Sequence, residues 1–146
     1  MGVREDLAQA RALLDAENHA IVFVRKGLVL GTGDRRGVID LLTLADALGP
    51  AAAGAAVADR IVGRAAALVY RALGVAAVYA QMLSDAGAEA LAEGDVYTEW
   101  SERVPQILNR AHNGPCPFEQ AAATVDEPAQ AIPVLQARLD ALMRAQ

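Results

Sequence analysis

The sequence predicts a three-layer α/β/α domain built on a mixed sheet, and three observations carry that expectation. Ile21-Val22-Phe23-Val24 and Leu28-Val29-Leu30 flank Arg25-Lys26-Gly27, which reads as a β-hairpin. Downstream, strand-like and helix-like segments alternate, which predicts right-handed crossovers and largely parallel pairing. At 146 residues, 54% of them hydrophobic, the chain has the length of one domain, 1–146, able to bury a core without disulfides or structural metal. Aromatics make up only 4%, so that core is expected to consist of Ala, Val, Leu and Ile in tightly packed helices.

The elements follow in order. Leu7, Ala10, Leu13 and Leu14 recur at helical spacing between Val3 and Glu17, and Asn18 ends that helix. After the hairpin, Gly31 to Gly37 reads as a loop with the glycine content of an anion-binding turn and two arginines, Arg35 and Arg36. Val38 to Leu48 is a second helix, closed by Gly49-Pro50. Ala55 to Ala58 is a short buried strand leading into Asp59, and Arg60 to Leu73 a helix with Ile61, Ala65, Leu68, Val69 and Ala72 on one face and Gly74 as its stop. Val75 to Tyr79 is a strand, Ser84 to Ala92 a helix with Ser84 as its cap, and Val96 to Trp100 another strand. Pro117 to Val125 is a short helix. The terminal helix runs from Glu127 or Pro128 to Arg144, with Pro133 placed to divide or kink it.

Composition narrows the function classes. Apolar runs are far shorter than the roughly 20 residues of a membrane span. The charged amino terminus is unlike a signal peptide, and Asp6 stands where a myristoylation motif needs Ser or Thr. A single cysteine excludes an internal disulfide, and together these features point to the cytoplasm. A net charge of −5 argues against nucleic acid as a partner of the whole surface. Val, Leu and Ala on the helices leave room for a homodimer.

The stretch Ile107 to Glu119 concentrates the chemistry. Pro117 at a first helical position makes Cys116 the N-cap, where backbone N–H groups and the helix dipole favour thiolate. Cys116 is thus either a nucleophile near Arg110 and His112 or a small buried hydrophobe. His112 is a candidate base in the loop, while His19, at a strand start, is read as incidental. Asn109 and Arg110 are placed either to orient a ligand or to stabilise their loop. Asp59, read as the N-cap of the following helix, is a candidate acid or base if the two helix starts meet. Glu119, three residues after Cys116, completes a capping box and reads as structural rather than catalytic, and it also stands among the candidate ligand contacts. Arg60, Arg64 and Arg71 fall along one side of the predicted helix; Arg60 and Arg64, in its first turns, are candidates for holding phosphate or carboxylate.

Ala58 to Leu68, Ile107 to Arg110 and Gly114-Pro115-Cys116-Pro117-Phe118-Glu119 resemble a prokaryotic family catalogued as domain of unknown function 1893, over roughly Asn18 to Ala131. That resemblance implies a cytidine-deaminase-like fold with its site at the starts of two helices. Zinc deaminases need H-x-E at one helix start and P-C-x-x-C at the other. Here the second reads P-C-x-x-E, and Val62-Gly63-Arg64 stands at the first, so neither a metal nor a cofactor is expected. The expected function is a metal-free pocket around Cys116 and Asp59 that binds an anionic or nucleotide-like small molecule, with or without Cys-dependent catalysis. The alternatives are a noncatalytic ligand-binding or regulatory module, in which Cys116 is only a cap, and a residual zinc deaminase.

Overall fold

The computed structural model describes residues 2–35 and 37–145; Met1, Gln146 and Arg36, the second arginine of the glycine-containing loop, lie outside the described residues. In chain order the elements are α1 (Val3–Ala16), β1 (Ile21–Arg25), β2 (Leu28–Gly33), α2 (Val38–Leu48), β3 (Ala56–Val62), α3 (Arg64–Leu73), β4 (Ala77–Ser84), α4 (Asp85–Glu93), β5 (Tyr97–Val104), α5 (Pro117–Ala122) and α6 (Ala131–Arg144), with short 3-10 turns at Gly49–Ala52 and Pro128–Gln130. The sheet order is β2-β1-β3-β4-β5. β1 is antiparallel to both β2 and β3, whereas β3, β4 and β5 are parallel. This is the predicted α/β architecture with a mixed sheet.

Helix α1 alone covers one face, setting Leu7, Ala10 and Leu14 against Val22, Val24, Ala56, Ala58, Ala77 and Tyr79. Alternate residues of the same strands, among them Phe23, Val57, Val78 and Ala80, point the other way into the larger core beneath the remaining helices. The strand alanines under α1 allow the close approach that the Ala-rich composition foretells. All six residues from Ala65 to Tyr70 are buried, so α3 is enclosed on every side, with α2, α4, α5 and α6 packed around it.

Several boundaries differ from expectation: Gly31 to Gly33, read as loop, extend β2, α5 ends at Ala122 rather than Val125, and α6 starts at Ala131 behind the 3-10 turn Pro128–Gln130. The helix predicted from Arg60 begins at Arg64, and Asp59 to Val62 belong to β3. A central strand buried on both faces has no alternating pattern, and Ile61 happens to keep helical spacing with Ala65 and Leu68, so the run reads as helix. β4 and β5 continue to Ser84 and Val104, held by uninterrupted pairing with their neighbours. Pro133 does not divide α6: it occupies the third helical position, where a missing N–H leaves no intrahelical bond unmade. Ser84 caps α4 as predicted, its Oγ accepting from Gly87 N at 3.0 Å.

Side-chain carboxylates organise the turns. The hairpin turns at Lys26 (φ 51°) and Gly27 (φ 78°), two positive φ angles as a type I′ turn requires. Asp6 of α1 accepts both their N–H groups at 2.9 Å. Asp40 does the same for the loop after β2, accepting from Asp34 N and Arg35 N at 2.9 Å and from Arg35 Nε at 2.7 Å. The loop expected to offer its amides to an anionic ligand thus already holds an anion of its own. Burial pushes the Asp40 carboxyl up, but the Arg35 amide and guanidinium outweigh it and hold its pKa below the ordinary 3.8. Its stabilisation is therefore present above that value and is lost as the pH falls through the lowered one. Asp40→Asn is expected to cost about 1–2 kcal/mol at neutral pH, read by urea unfolding, with the difference closing in acid.

Candidate functional site

The segment from Ile107 to Pro115 folds back on itself. Leu108 and Pro115 form an isolated antiparallel bridge, Asn109 N donates to Gly114 O at 2.9 Å, and Cys116 N donates to Ile107 O at 3.1 Å. Within the loop, Asn109 Nδ2 donates to Asn113 Oδ1 at 2.9 Å and Asn109 Oδ1 accepts from Asn113 N at 3.2 Å. The amide of Asn109 is thus engaged in shaping the loop. Arg110 and His112 are exposed on it, with His112 in the left-handed region (φ 56°). Cys116 is the N-cap of α5 with Pro117 at the first position, as the sequence predicts, but its side chain makes no capping hydrogen bond. It is half-buried.

The starts of α3 and α5 do come together, through a contact that the sequence reading did not assign. Glu119 does not close a capping box on its own helix: its Oε1 accepts from Arg64 N and its Oε2 from Ala65 N, both at 2.8 Å, at the start of α3. A carboxylate there satisfies two amides with no intrahelical partner and faces the positive end of the dipole. Gly63 makes the approach possible, since a Cβ at that position would lie 2.2 Å from Glu119 Oε1. Arg64 returns the contact: its Nε donates to Ala122 O at 3.1 Å and its NH2 to Val125 O at 2.6 Å, at the carboxyl end of α5. Each helix caps the other. Arg64 is thereby committed to carbonyls rather than to a phosphate or carboxylate ligand.

Asp59 and Arg60 are corrected most. Neither lies at a helix start; they are neighbours in β3 with side chains on opposite faces of the sheet. Asp59 is buried beneath α3, where its Oδ2 accepts from the Tyr70 hydroxyl and its Oδ1 from Ile61 N at 3.2 Å. Burial pushes its pKa up from 3.8 to about 7, opposed by the hydrogen bonds from Tyr70 and the backbone. Burial and the adjacent Asp59 push the Tyr70 hydroxyl well above 10, so it stays a phenol. Arg60 closes the end of α1: NH2 donates to Leu14 O at 2.7 Å, Nε to His19 O at 3.0 Å, and NH1 to Asp15 Oδ1 and Gln81 Oε1, each at 3.2 Å. A guanidinium is well suited to helix-terminal carbonyls. The arginine stripe of the sequence reading therefore does not exist, because Arg60 and Arg64 belong to different elements. His19, read as incidental, hydrogen-bonds Asp34 at 2.7 Å and Glu17 at 2.9 Å.

Tyr70 is the residue the sequence reading missed altogether. It looks like one more apolar position of a buried helix, and nothing eleven residues from Asp59 marks the pair. Two concavities open elsewhere. One, of about 340 Å³, lies between the ends of α3 and α4 and is lined by Arg71, Gly74, Val75, Gly94, Val96 and Pro128. The other, of about 180 Å³, sits at the carboxyl end of the parallel strands and is lined by Arg60, Ile61, Gln81, Met82 and Glu102. Among the described residues no three His, Cys, Asp or Glu converge on a metal position, and no helix is long and apolar enough to cross a membrane.

The family described as a domain of unknown function, DUF1893, with TM1506 as its namesake, matches residues 9–139. The chain belongs to the DUF1893 family. The crystal structure of the DUF1893 family protein TM1506 from Thermotoga maritima is similar, with a TM-score of 0.83 at 19% identity, over 92% of this chain and 90% of that one. At that identity the likeness speaks for the fold. No curated protein matches this DUF1893 chain.

Proposed function

We propose that this DUF1893 protein is a noncatalytic binding module of cytidine-deaminase-like fold, acting in the cytoplasm on a small nucleobase-like molecule. The observation that carries this reading is the Glu119 carboxylate on the first two amides of α3, 2.8 Å from each. A deaminase-like fold builds its chemistry where two helix starts meet, and here a side chain of the protein fills that place. The other catalytic candidates are dispersed: Asp59 is sealed under Tyr70, and Asn109 is bound up in its loop. Phosphate has little to attract it, since Asp6, Asp40 and Glu119 already occupy three sets of backbone N–H groups and Arg60 and Arg64 face carbonyls. The crevice at the strand ends, about 180 Å³ and lined by Arg60, Ile61, Gln81, Met82 and Glu102, offers the Gln81 amide beside the edge of the Arg60 guanidinium. That is a donor and acceptor set for a single heterocycle, below the roughly 300 Å³ at which drug-sized pockets begin.

A thermal-shift panel of nucleobases, nucleosides, nucleotides and sugar phosphates tests this. The expected result is a rise in Tm with nucleobases or nucleosides that is kept in Cys116→Ser, lost in Gln81→Ala, and accompanied by no turnover. A panel without any shift refutes ligand binding. Turnover abolished by Cys116→Ser with folding intact restores Cys116 as nucleophile, and stoichiometric zinc held through Cys116 restores a metal-dependent deaminase.

A further inference from the structure

We propose that this protein pairs with a second copy of itself through the outer edge of β5, the two strands running antiparallel with Ser101 on the two-fold axis. β5 closes one side of the sheet with eight residues that pair with β4 in one constant register from Tyr97 to Val104. It carries neither the bulge nor the internal proline that commonly blunts an edge, and it leaves Tyr97 36% and Trp100 47% exposed.

The ladder limits the registers available. Tyr97 N donates inward to Ala76 O at 3.1 Å. In a parallel pair, alternate residues 97, 99, 101 and 103 turn their backbone groups toward β4, so Thr98, Trp100, Glu102 and Val104 turn theirs outward. An antiparallel partner must match this outward set with its own, so the two-fold axis passes through a residue and never between two. Of the positions along β5, only Ser101 then sets opposite charges directly across the interface. Glu99 faces Arg103 of the other copy, twice by symmetry, while Trp100 lies across from Glu102. An axis through Glu99, Glu102 or Arg103 sets like charges against each other, and one through Thr98 or Trp100 pairs no opposite charges. Within the chain Glu99 accepts from Tyr97 Oη at 2.7 Å and lies 3.7 Å from Arg11, while Arg103 donates to Asp85 at 2.9 Å with its guanidinium 5.3 Å from the Trp100 ring, so pairing exchanges these exposed contacts for intermolecular ones. The isologous contact joins two five-stranded sheets into one, and it uses a surface distinct from the helical faces that composition suggests.

Sedimentation of the full chain tests the pairing. The wild type is expected to be a dimer at tens of micromolar. Glu99→Arg and Arg103→Glu are each expected to weaken it roughly tenfold by placing two like-charge pairs across the axis, and the double variant to restore it. Thermal unfolding of each single variant checks that it is folded. In a Cys116→Ser background, Ser101→Cys is expected to form an intermolecular disulfide, because non-hydrogen-bonded partners sit about 4.5 Å apart at Cα. Thr98→Cys, which faces Val104 of the other copy, is not. A monomer at every concentration overturns the proposal and assigns the charges the role of guarding the edge. A dimer indifferent to both charge reversals, or one in which Ser101→Cys cross-links no better than Thr98→Cys, overturns the interface or its register.

Discussion

Glu119→Ala is expected to lower stability by about 4 kcal/mol and Tm by roughly 10 °C. Two hydrogen bonds to a charged acceptor contribute about 1.5–3 kcal/mol each, and the charge at the helix start adds up to about 1 kcal/mol. The loss is large because Glu119 is the only side chain that reaches Arg64 N and Ala65 N among the described residues, at the entry to the most enclosed helix of the molecule. Glu119→Gln is expected to fall between the two, since one amide oxygen can still accept while the amino group faces N–H donors. Gly63→Ala tests the same contact from the other side. Its Cβ, 2.2 Å from Oε1, displaces the carboxylate, so the substitution is costly in the wild type and mild once Glu119 is alanine. Urea unfolding of the four proteins in that cycle measures the coupling. Additive losses, or a Glu119→Ala loss below about 1 kcal/mol, would show that the two helix starts are not held together by this carboxylate.

Asp59→Asn is expected to change how stability depends on pH. The folded pKa of about 7 lies above the 3.8 of the unfolded chain, so the native state binds the extra proton between these values. Stability from this group is therefore full below about pH 4, declines as the pH rises toward 7, and stays low above it. The gap corresponds to a cost on the order of a few kcal/mol in alkali. Asparagine imitates the neutral acid: its oxygen accepts from the backbone and its amino group donates to the Tyr70 hydroxyl. The variant should match the wild type at pH 4 and exceed it at pH 8, as thermal unfolding at the two values will show. A wild type that gains on the variant with rising pH would mean that the carboxylate is stabilised as the anion.

Much of the architecture is legible in the chain because its signals are local. The hairpin is announced by β-rich runs around Lys26-Gly27, the start of α4 by Ser84, the end of α3 by Gly74, and the start of α5 by Cys116-Pro117. Each depends on the conformation of one or two residues or on a cap three residues away. The candidate site was less legible. The sequence placed Cys116, and the two helix starts do meet, but the partners that meet there are Glu119 and the amides of α3 rather than Asp59 and a thiol.

What the sequence alone determined is the class of fold, the family and most element starts, since periodicity and caps act within a turn or two. The role of each charged residue, by contrast, follows from contacts made far along the chain. Asp59, Arg60, Arg64 and Glu119 are separated by 11, 46, 58 and 55 residues from Tyr70, Leu14, Ala122 and Arg64, the partners that define them. A buried charge is tolerable only where hydrogen bonds meet it, and those bonds exist only once the sheet and its helices have closed.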